Sequence, residues 1–471
     1  MESDKIRHSL VASAGAIASG EISSRELTEI CIARIERLQP VLNCFISLDA
    51  DNALAAAEAA DKVRARGDSV GLLHGVPLAH KDMYYRAGHV STCGSKIRKH
   101  FRADHTATVI QRLADAGALY LGGLNMAEFA FGPTGHNEHW GHCRNPWNIR
   151  HVTGGSSSGT GSAVAARLVY AGLGSDTGGS IRLPSAACGL TGIKPTQTRV
   201  SRYGVMGLSF SLDTVGPLTR TVPDCARVLG VIAGPDPNDP TSSDVNVDDY
   251  EAATIGAKVQ GVRIGLPTNY YYDDASAEVR ELMNDSLKTF EELGANVVEV
   301  EVPDQDQLSD LANVVMGSEA ATLHRTWLRE CPMDYSAQVR ARIQPGLMYS
   351  AIDYLQALQI RSQITRQFVE NVFGQCDVLH TPVISFPVPT IEETDLGDTS
   401  NFSHFISRMT HCTRPINYLG LPAIATPAGF TANGLPTSFQ LIGRPFAEEM
   451  LFRVAAAYED TTNWHQKTPK I

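Results

Sequence analysis

Residues 153–195 carry two glycine-serine loops separated by one helix-sized segment: Thr-Gly-Gly-Ser-Ser-Ser-Gly-Thr-Gly-Ser, a short apolar run, then Gly-Ser-Asp-Thr-Gly-Gly-Ser-Ile-Arg-Leu-Pro. No other stretch limits the fold as strongly. Glycine at this density lets the backbone take positive φ, and lets bare N–H groups converge on an oxygen atom. A fold that uses both loops has to bring them to a common point.

The rest of the chain reads as a frame for them. Ser23-Ser-Arg-Glu26 forms a capping box, Ile22 can staple onto Leu27, and Leu27, Cys31, Ile35 and Leu38 recur at helical spacing until Pro40 stops the run. Residues 49–66 read as a second helix, rich in alanine and charges. From Leu73 onward short apolar strands (76–79, 119–121) alternate with helices (106–115, 162–169), which predicts an α/β sheet with helices on its faces. A Pro/Asp/Asn/Ser-rich stretch at 234–243 reads as an exposed loop. Strand 262–265, helix 277–293 with Gly294 as its stop, and strand 296–302 follow. Residues 308–373 are helical in pattern, strands return at 376–382, 423–427 and 439–443, and a helix at 447–458 ends the pattern. The last strands are expected to rejoin the central sheet.

Composition narrows the class. A chain of 471 residues with 43% hydrophobic content can bury a large core without staples. The formal net charge of -11, with no basic run, argues against a nucleic-acid or anionic-membrane surface. Nine cysteines with no CxxC pair do not form a disulfide framework, and no apolar run approaches the roughly 18 residues of a membrane span. With no signal-peptide h-region at the start, the expectation is a cytoplasmic protein.

Three local readings of the chemistry compete. Gly154 to Ser162 invites a phosphate loop but lacks the lysine that reaches terminal phosphates. Gly155-Ser-Ser-Ser-Gly159 has the letters of a nucleophile elbow around Ser157, yet the polar residues 145–151 before it do not read as the required strand. His136, His139, His142 and Cys143 could occupy four tetrahedral positions on a metal, but their spacing is looser than a zinc signature in a turn-rich loop, and packed or solvated histidines are the favoured reading.

A wider combination is more specific. Leu73-His-Gly-Val-Pro-Leu-Ala-His-Lys-Asp82, the Gly-Gly-Ser-Ser loop and Asp176-Thr-Gly-Gly-Ser-Ile-Arg182 together resemble the amidase signature family of serine amidohydrolases. Leu124-Asn-Met-Ala-Glu-Phe129, Asn145-Pro-Trp147, Gly192-Ile-Lys-Pro-Thr196, Asp213-Thr-Val-Gly-Pro217 and Asn417-Tyr-Leu-Gly-Leu-Pro-Ala423 resemble family segments in the family's order, so the resemblance covers most of the chain. It implies one domain whose mixed central β-sheet is flanked by helices on both faces, with N-terminal helices at 1–70, a signature core at 71–235, a helical specificity region at 305–375 and a C-terminal return to the sheet at 376–471. It also implies a catalytic triad of Lys81, Ser156 and Ser180, a cis peptide bond before Ser156, no metal or other cofactor, and substrate contacts from Ala130, Phe131 and Gly132.

These residue types suit that chemistry. A serine hydroxyl must lose its proton to an adjacent base, and a lysine of ordinary pKa about 10.4 is neutral in only roughly one molecule in 2,500 at pH 7. The apolar run Val76-Pro-Leu-Ala79 ahead of Lys81 would desolvate the ammonium and lower that pKa, unless Lys81 instead pairs with Asp82 or Asp176. Backbone N–H groups of Thr177, Gly178, Gly179 and Ser180 can bind an oxyanion, with Asp176 and Arg182 bracing the loop as an ion pair. Leu183 stands where malonamidase-like members carry an arginine for a substrate carboxylate, so this position does not indicate a charged acyl group. His80 and Met83 are unusual neighbours for Lys81.

The expected activity is hydrolysis of a small or medium carboxamide, or of a carbamate or urea C–N bond, by a homodimer or other homo-oligomer. Two alternatives stand beside it: the glutaminase-type amidase component of a glutamine-dependent aminoacyl-tRNA amidotransferase, which Arg199-Val-Ser-Arg-Tyr-Gly204 resembles, and a non-catalytic binding protein on the same scaffold.

Overall fold

A computed structural model describes residues 8–395 and 400–471, with the backbone alone for 400–403. Eleven strands are present among them: β1 (Phe45–Leu48), β2 (Pro77–Lys81), β3 (Leu119–Leu124), β4 (Ala171–Asp176), β5 (Thr191–Lys194), β6 (Thr214–Thr219), β7 (Arg263–Pro267), β8 (Asn296–Val300), β9 (Val378–Pro382), β10 (Ala423–Phe430) and β11 (Pro436–Ile442). β1, β3 and β2 form a small sheet in that order, and the other eight form a mixed sheet ordered β4-β6-β5-β10-β11-β9-β7-β8. The expected α/β architecture with a large mixed sheet and flanking helices is present, and the C-terminal strands β10 and β11 sit in the middle of that sheet.

The two sheets meet where β2 runs beside β4. Tyr170 N–H donates to the Pro77 carbonyl at 3.2 Å, and Leu173 N–H donates to His80 Nδ1 at 3.1 Å. An imidazole thus takes the amide proton that a strand carbonyl would otherwise accept. Burial pushes His80 down to about 3, so the ring is neutral and Nδ1 is free to accept.

The N-terminal helix Ser24–Leu42 begins as its capping box predicts, with Glu26 N–H donating to Ser23 Oγ at 3.0 Å, but it continues past Pro40, which lies in its last turn. The helix expected at 49–66 spans Ala50–Ala65. The helix expected at 162–169 starts four residues earlier, at Ser158. Its two glycines weaken the sequence signal, and they are needed for packing: a Cβ at Gly159 would lie 2.5 Å from the backbone of Asn125. Residues 234–243 form a turn-rich loop in which Pro235, Pro237, Asn238, Pro240 and Thr241 are exposed as expected, while the two acidic residues are not. Asp236 accepts from Thr108 Oγ1 at 2.6 Å and also from Ser201 Oγ, and both Asp236 and Asp239 are buried. The region after 305 is helical as expected, with Gln305–Glu330, Ala337–Ile343 and Ala351–Phe373. Among the described residues no helix is long and apolar enough to cross a membrane.

Candidate active site

Lys81 is the last residue of β2, a strand buried along its whole length. Its side chain is 1% exposed and makes no ion pair within 4 Å among the described residues, neither with Asp82 nor with Asp176. Nζ instead donates to Ser156 Oγ at 2.7 Å and to Ser175 Oγ at 2.8 Å. Burial lowers the Lys81 pKa to about 7, against the opposing pull of the Asp213 and Asp176 carboxylates. Asp82 turns away and accepts from Thr92 N–H at 2.8 Å and from Thr92 Oγ1.

The first loop delivers Ser156 through a cis Gly155–Ser156 peptide bond. Gly155 N–H donates to the Pro133 carbonyl at 2.6 Å, and a Cβ there would meet the Gly132 oxygen at 2.3 Å, so only glycine allows this approach. The Ser156 carbonyl accepts from Ala127 N–H at 3.0 Å. Ser157, the elbow candidate, has its hydroxyl committed to the Ser180 carbonyl at 2.6 Å. That contact ties the first loop to the second.

The second loop follows β4 and is gripped by one carboxylate. Asp176 accepts from Gly179 N–H at 2.8 Å and Ile181 N–H at 3.1 Å, and pairs with Arg182 Nε at 3.1 Å with both side chains fully buried. Burial alone would raise the Asp176 pKa, but the Arg182 charge and its hydrogen bonds hold the carboxyl below the usual range. Arg182 also reaches Gln440 Oε1 at 2.9 Å and Asn417 Oδ1 at 2.6 Å, so the C-terminal third of the chain braces the loop as well. Because Asp176 takes the Gly179 N–H, that group leaves the expected oxyanion set. Thr177, Gly178 and Ser180 line the cavity at Ser180, and Gly179 does not. Gly179 has φ +130°, and its Cβ would lie 2.4 Å from Thr413 Oγ1. Thr413 in turn donates to the Gly178 carbonyl at 2.7 Å.

Ala130, Phe131 and Gly132 line the same cavity. Arg342 and Arg414, which no motif marks, join them. Arg342 donates to the Phe131 carbonyl at 2.7 Å, and its guanidinium carbon lies 4.0 Å from the centroid of that ring. Leu183 also lines the cavity. Ser175 is a further site residue outside the sequence-based set, although it is adjacent to Asp176 in a motif of that set. Alternation along β4 places it on the face opposite Asp176, and that is the signal that could have found it. Nothing local marks Arg342, a basic residue in a helical segment far from the motifs, and Arg414 stands three residues ahead of the Asn417–Ala423 segment rather than within it.

The candidate metal ligands do not converge on one point: the His136 and His142 rings meet edge to face with centroids 4.5 Å apart, but the ring nitrogens serve different partners. His136 Nε2 contacts Thr394 Oγ1 at 2.7 Å, His139 Nε2 contacts Glu128 Oε1 at 2.9 Å, and His142 Nδ1 accepts from Asn137 N–H at 3.0 Å. Among the described residues no three His, Cys, Asp or Glu are grouped to hold a metal ion.

The Amidase family model matches residues 26–452. A Glutamyl-tRNA(Gln) amidotransferase subunit of Chloroflexus aurantiacus is 39% identical, with 98% of each chain covered. A solved structure from an unexpected vestigial protein complex, described as revealing the evolutionary origins of an s-triazine catabolic enzyme, superposes with a TM-score of 0.90 at 33% identity over 98% of this chain and 100% of that one. The corresponding Glutamyl-tRNA(Gln) amidotransferase subunit of Thermotoga maritima superposes with a TM-score of 0.80 at 31% identity over 95% of each chain. The chain therefore belongs to the amidase signature family.

Proposed function

We propose that this protein hydrolyses the C–N bond of a small carboxamide, carbamate or urea derivative through an acyl-enzyme on Ser180. The observation that carries this reading is the 2.7 Å contact between Ser156 Oγ and a Lys81 that has no ion-pair partner among the described residues and whose pKa falls to about 7. Neutral Lys81 takes the Ser156 proton as Ser156 takes that of Ser180, and the Ser180 oxygen attacks the carbonyl carbon. Charge then develops on the carbonyl oxygen, where the N–H groups of Thr177, Gly178 and Ser180 stabilise it. As the C–N bond breaks, Ser156 returns a proton to the departing nitrogen and Lys81 replenishes Ser156. A water molecule cleaves the ester by the same relay in reverse, restoring Ser180. The test is an intact-mass search for acyl-enzyme across amides, anilides, carbamates and ureas. A mass adduct that disappears in Ser180→Ala supports the reading, and full turnover in Ser180→Ala or Lys81→Ala overturns it.

A second reading is the amidase component of an aminoacyl-tRNA amidotransferase, in which the same site releases ammonia from glutamine for a second protein. The comparisons favour it more directly than they favour a free-standing amidase, because full-length relatives at 39% identity carry that name. Glutaminase activity that appears only with a co-purifying second chain supports it. A homo-oligomer that is active alone on other amides counts against it.

A further inference from the structure

β4 is an edge strand of the large sheet, and β2 runs along its free side. Edge amides of this kind ordinarily recruit another strand. Here residue numbers rise together along the two segments, yet among the described residues the backbones bond at one point only, where Tyr170 N–H meets the Pro77 carbonyl at 3.2 Å. At the next contact a Cβ on Gly172 would lie 2.5 Å from the Ala79 carbonyl oxygen, so the chains still touch. Beyond it they part. The outward N–H of Leu173 donates to His80 Nδ1 at 3.1 Å, and that of Ser175 to Ser157 Oγ at 3.4 Å. Tyr84 Oη donates to the Gly174 carbonyl at 2.6 Å. Side chains thus take the donors and the acceptor that a paired strand would use.

The catalytic contacts lie in that gap. Lys81 follows His80 directly, and its Nζ crosses to Ser175 Oγ at 2.8 Å while meeting Ser156 Oγ at 2.7 Å. The first loop fills the same opening: Thr160 Oγ1 donates to the Leu173 carbonyl at 3.3 Å, and a Cβ on Gly174 would lie 2.7 Å from Ser157 Oγ. Backbone pairing of β2 with β4 along its length would leave no room for either.

His80 is fixed in place. It is buried, and its ring centroid lies 6.3 Å from that of Tyr84 and 5.9 Å from that of Tyr120. Arg86, which stacks on Tyr120 and pairs with Asp49 at 3.4 Å, is the cation whose charge acts on the ring. Because Nδ1 accepts, the one ring proton sits on Nε2. An aliphatic side chain at this position would offer Leu173 no acceptor.

We propose that His80 is a positioning residue for Lys81: its imidazole holds β2 and β4 apart by the width of one ring and so sets the reach of Lys81 Nζ to Ser156 and Ser175. The inference rests on the reading of Lys81 as the base. His80 does not line the cavity at Ser180, so its effect passes through Lys81. A base misplaced by about 1 Å costs on the order of 100-fold in rate.

The test compares full-length His80→Leu, His80→Asn and Lys81→Met by the kinetics of Ser180 labelling with a fluorophosphonate, which gives kinact and KI separately. Asparagine keeps an acceptor where Nδ1 stands, and leucine removes it. His80→Leu is expected to lower kinact by about 10- to 100-fold with KI changed by less than about twofold, and His80→Asn to stay within about threefold of wild type. If His80→Leu does not fold, His80→Gln, whose carbonyl lies one bond farther out, gives the same comparison. An unchanged kinact in His80→Leu, with or without a lower urea midpoint, overturns the proposal. So does a loss confined to KI, or an equal loss in His80→Asn. Wild type that does not label, or Lys81→Met that labels at the wild-type rate, rejects the amidase reading itself and this inference with it.

Discussion

Lys81 Nζ lies 2.7 Å from Ser156 Oγ and 2.8 Å from Ser175 Oγ, two hydroxyls from the two different glycine-serine segments. The lysine at the end of β2 thus joins both segments without an ion pair. Replacing it removes the proposed base: Lys81→Met should lower kcat by about 100- to 10,000-fold. Steady-state hydrolysis of a reactive anilide measures the loss. An unchanged circular dichroism spectrum separates it from unfolding.

The pH dependence follows from the same residue. Its pKa of about 7 lies below the ordinary lysine value, so the catalytically competent neutral form is lost as pH falls through 7. kcat/KM should drop about tenfold per pH unit below that point. The sign for stability is opposite to that of a salt-bridged lysine. Between about pH 7 and 10 the unfolded chain holds this proton and the folded one does not, so this group favours folding more as pH rises. Titrating urea midpoints of wild type against Lys81→Met isolates the contribution.

Ser175→Ala separates the two contacts of Lys81. The hydroxyl at 2.8 Å stabilises the ammonium, so its removal should move the acid limb of the pH profile to lower pH. An acid limb that stays in place would show that Ser175 does not tune the base.

The Asp176–Arg182 pair is a stability element at 0% exposure on both sides. Arg182→Met leaves a buried carboxylate without its partner, and the expected loss is about 3–5 kcal/mol in chemical denaturation. Asp176 also holds Gly179 and Ile181, so activity should fall together with stability.

Gly179→Ala places a methyl 2.4 Å from Thr413 Oγ1 at a φ of +130°. The turn must shift, and kcat should fall by about 100-fold or more, as when an oxyanion donor is misplaced. Gly178, with open space around it, is the control, and Gly178→Ala should cost much less if the effect at 179 is steric.

The proposed Lys81, Ser156 and Ser180 are legible in the sequence because each is embedded in a motif whose glycines serve backbone geometry. Gly155 and Gly179 are needed where another residue's backbone or side chain approaches within 2.4 Å of a Cβ, and such requirements leave local marks. The strand-helix alternation is legible for the same reason, since periodicity is a local property. The helix Ser158–Ala165 starts earlier than its pattern predicts because its glycines answer to packing against Asn125 rather than to helix propensity. In the segment 234–243 the exposed prolines are legible but the burial of the two aspartates is not, because Asp236 finds Thr108 and Ser201, and Asp239 the Arg202 N–H, only in the folded chain.

The sequence by itself determined the family, the α/β class and the residues of the proposed relay. Only the tertiary structure decided the electrostatics around them. It withheld an ion pair from Lys81, gave the Gly179 amide to Asp176, and put Arg342 and Arg414, from two helices far apart in the chain, on one cavity. The physical reason is that burial and charge pairing depend on which distant side chains arrive at a point in space. A motif encodes the conformation of its own backbone, and it carries no information about what the rest of the chain packs against it.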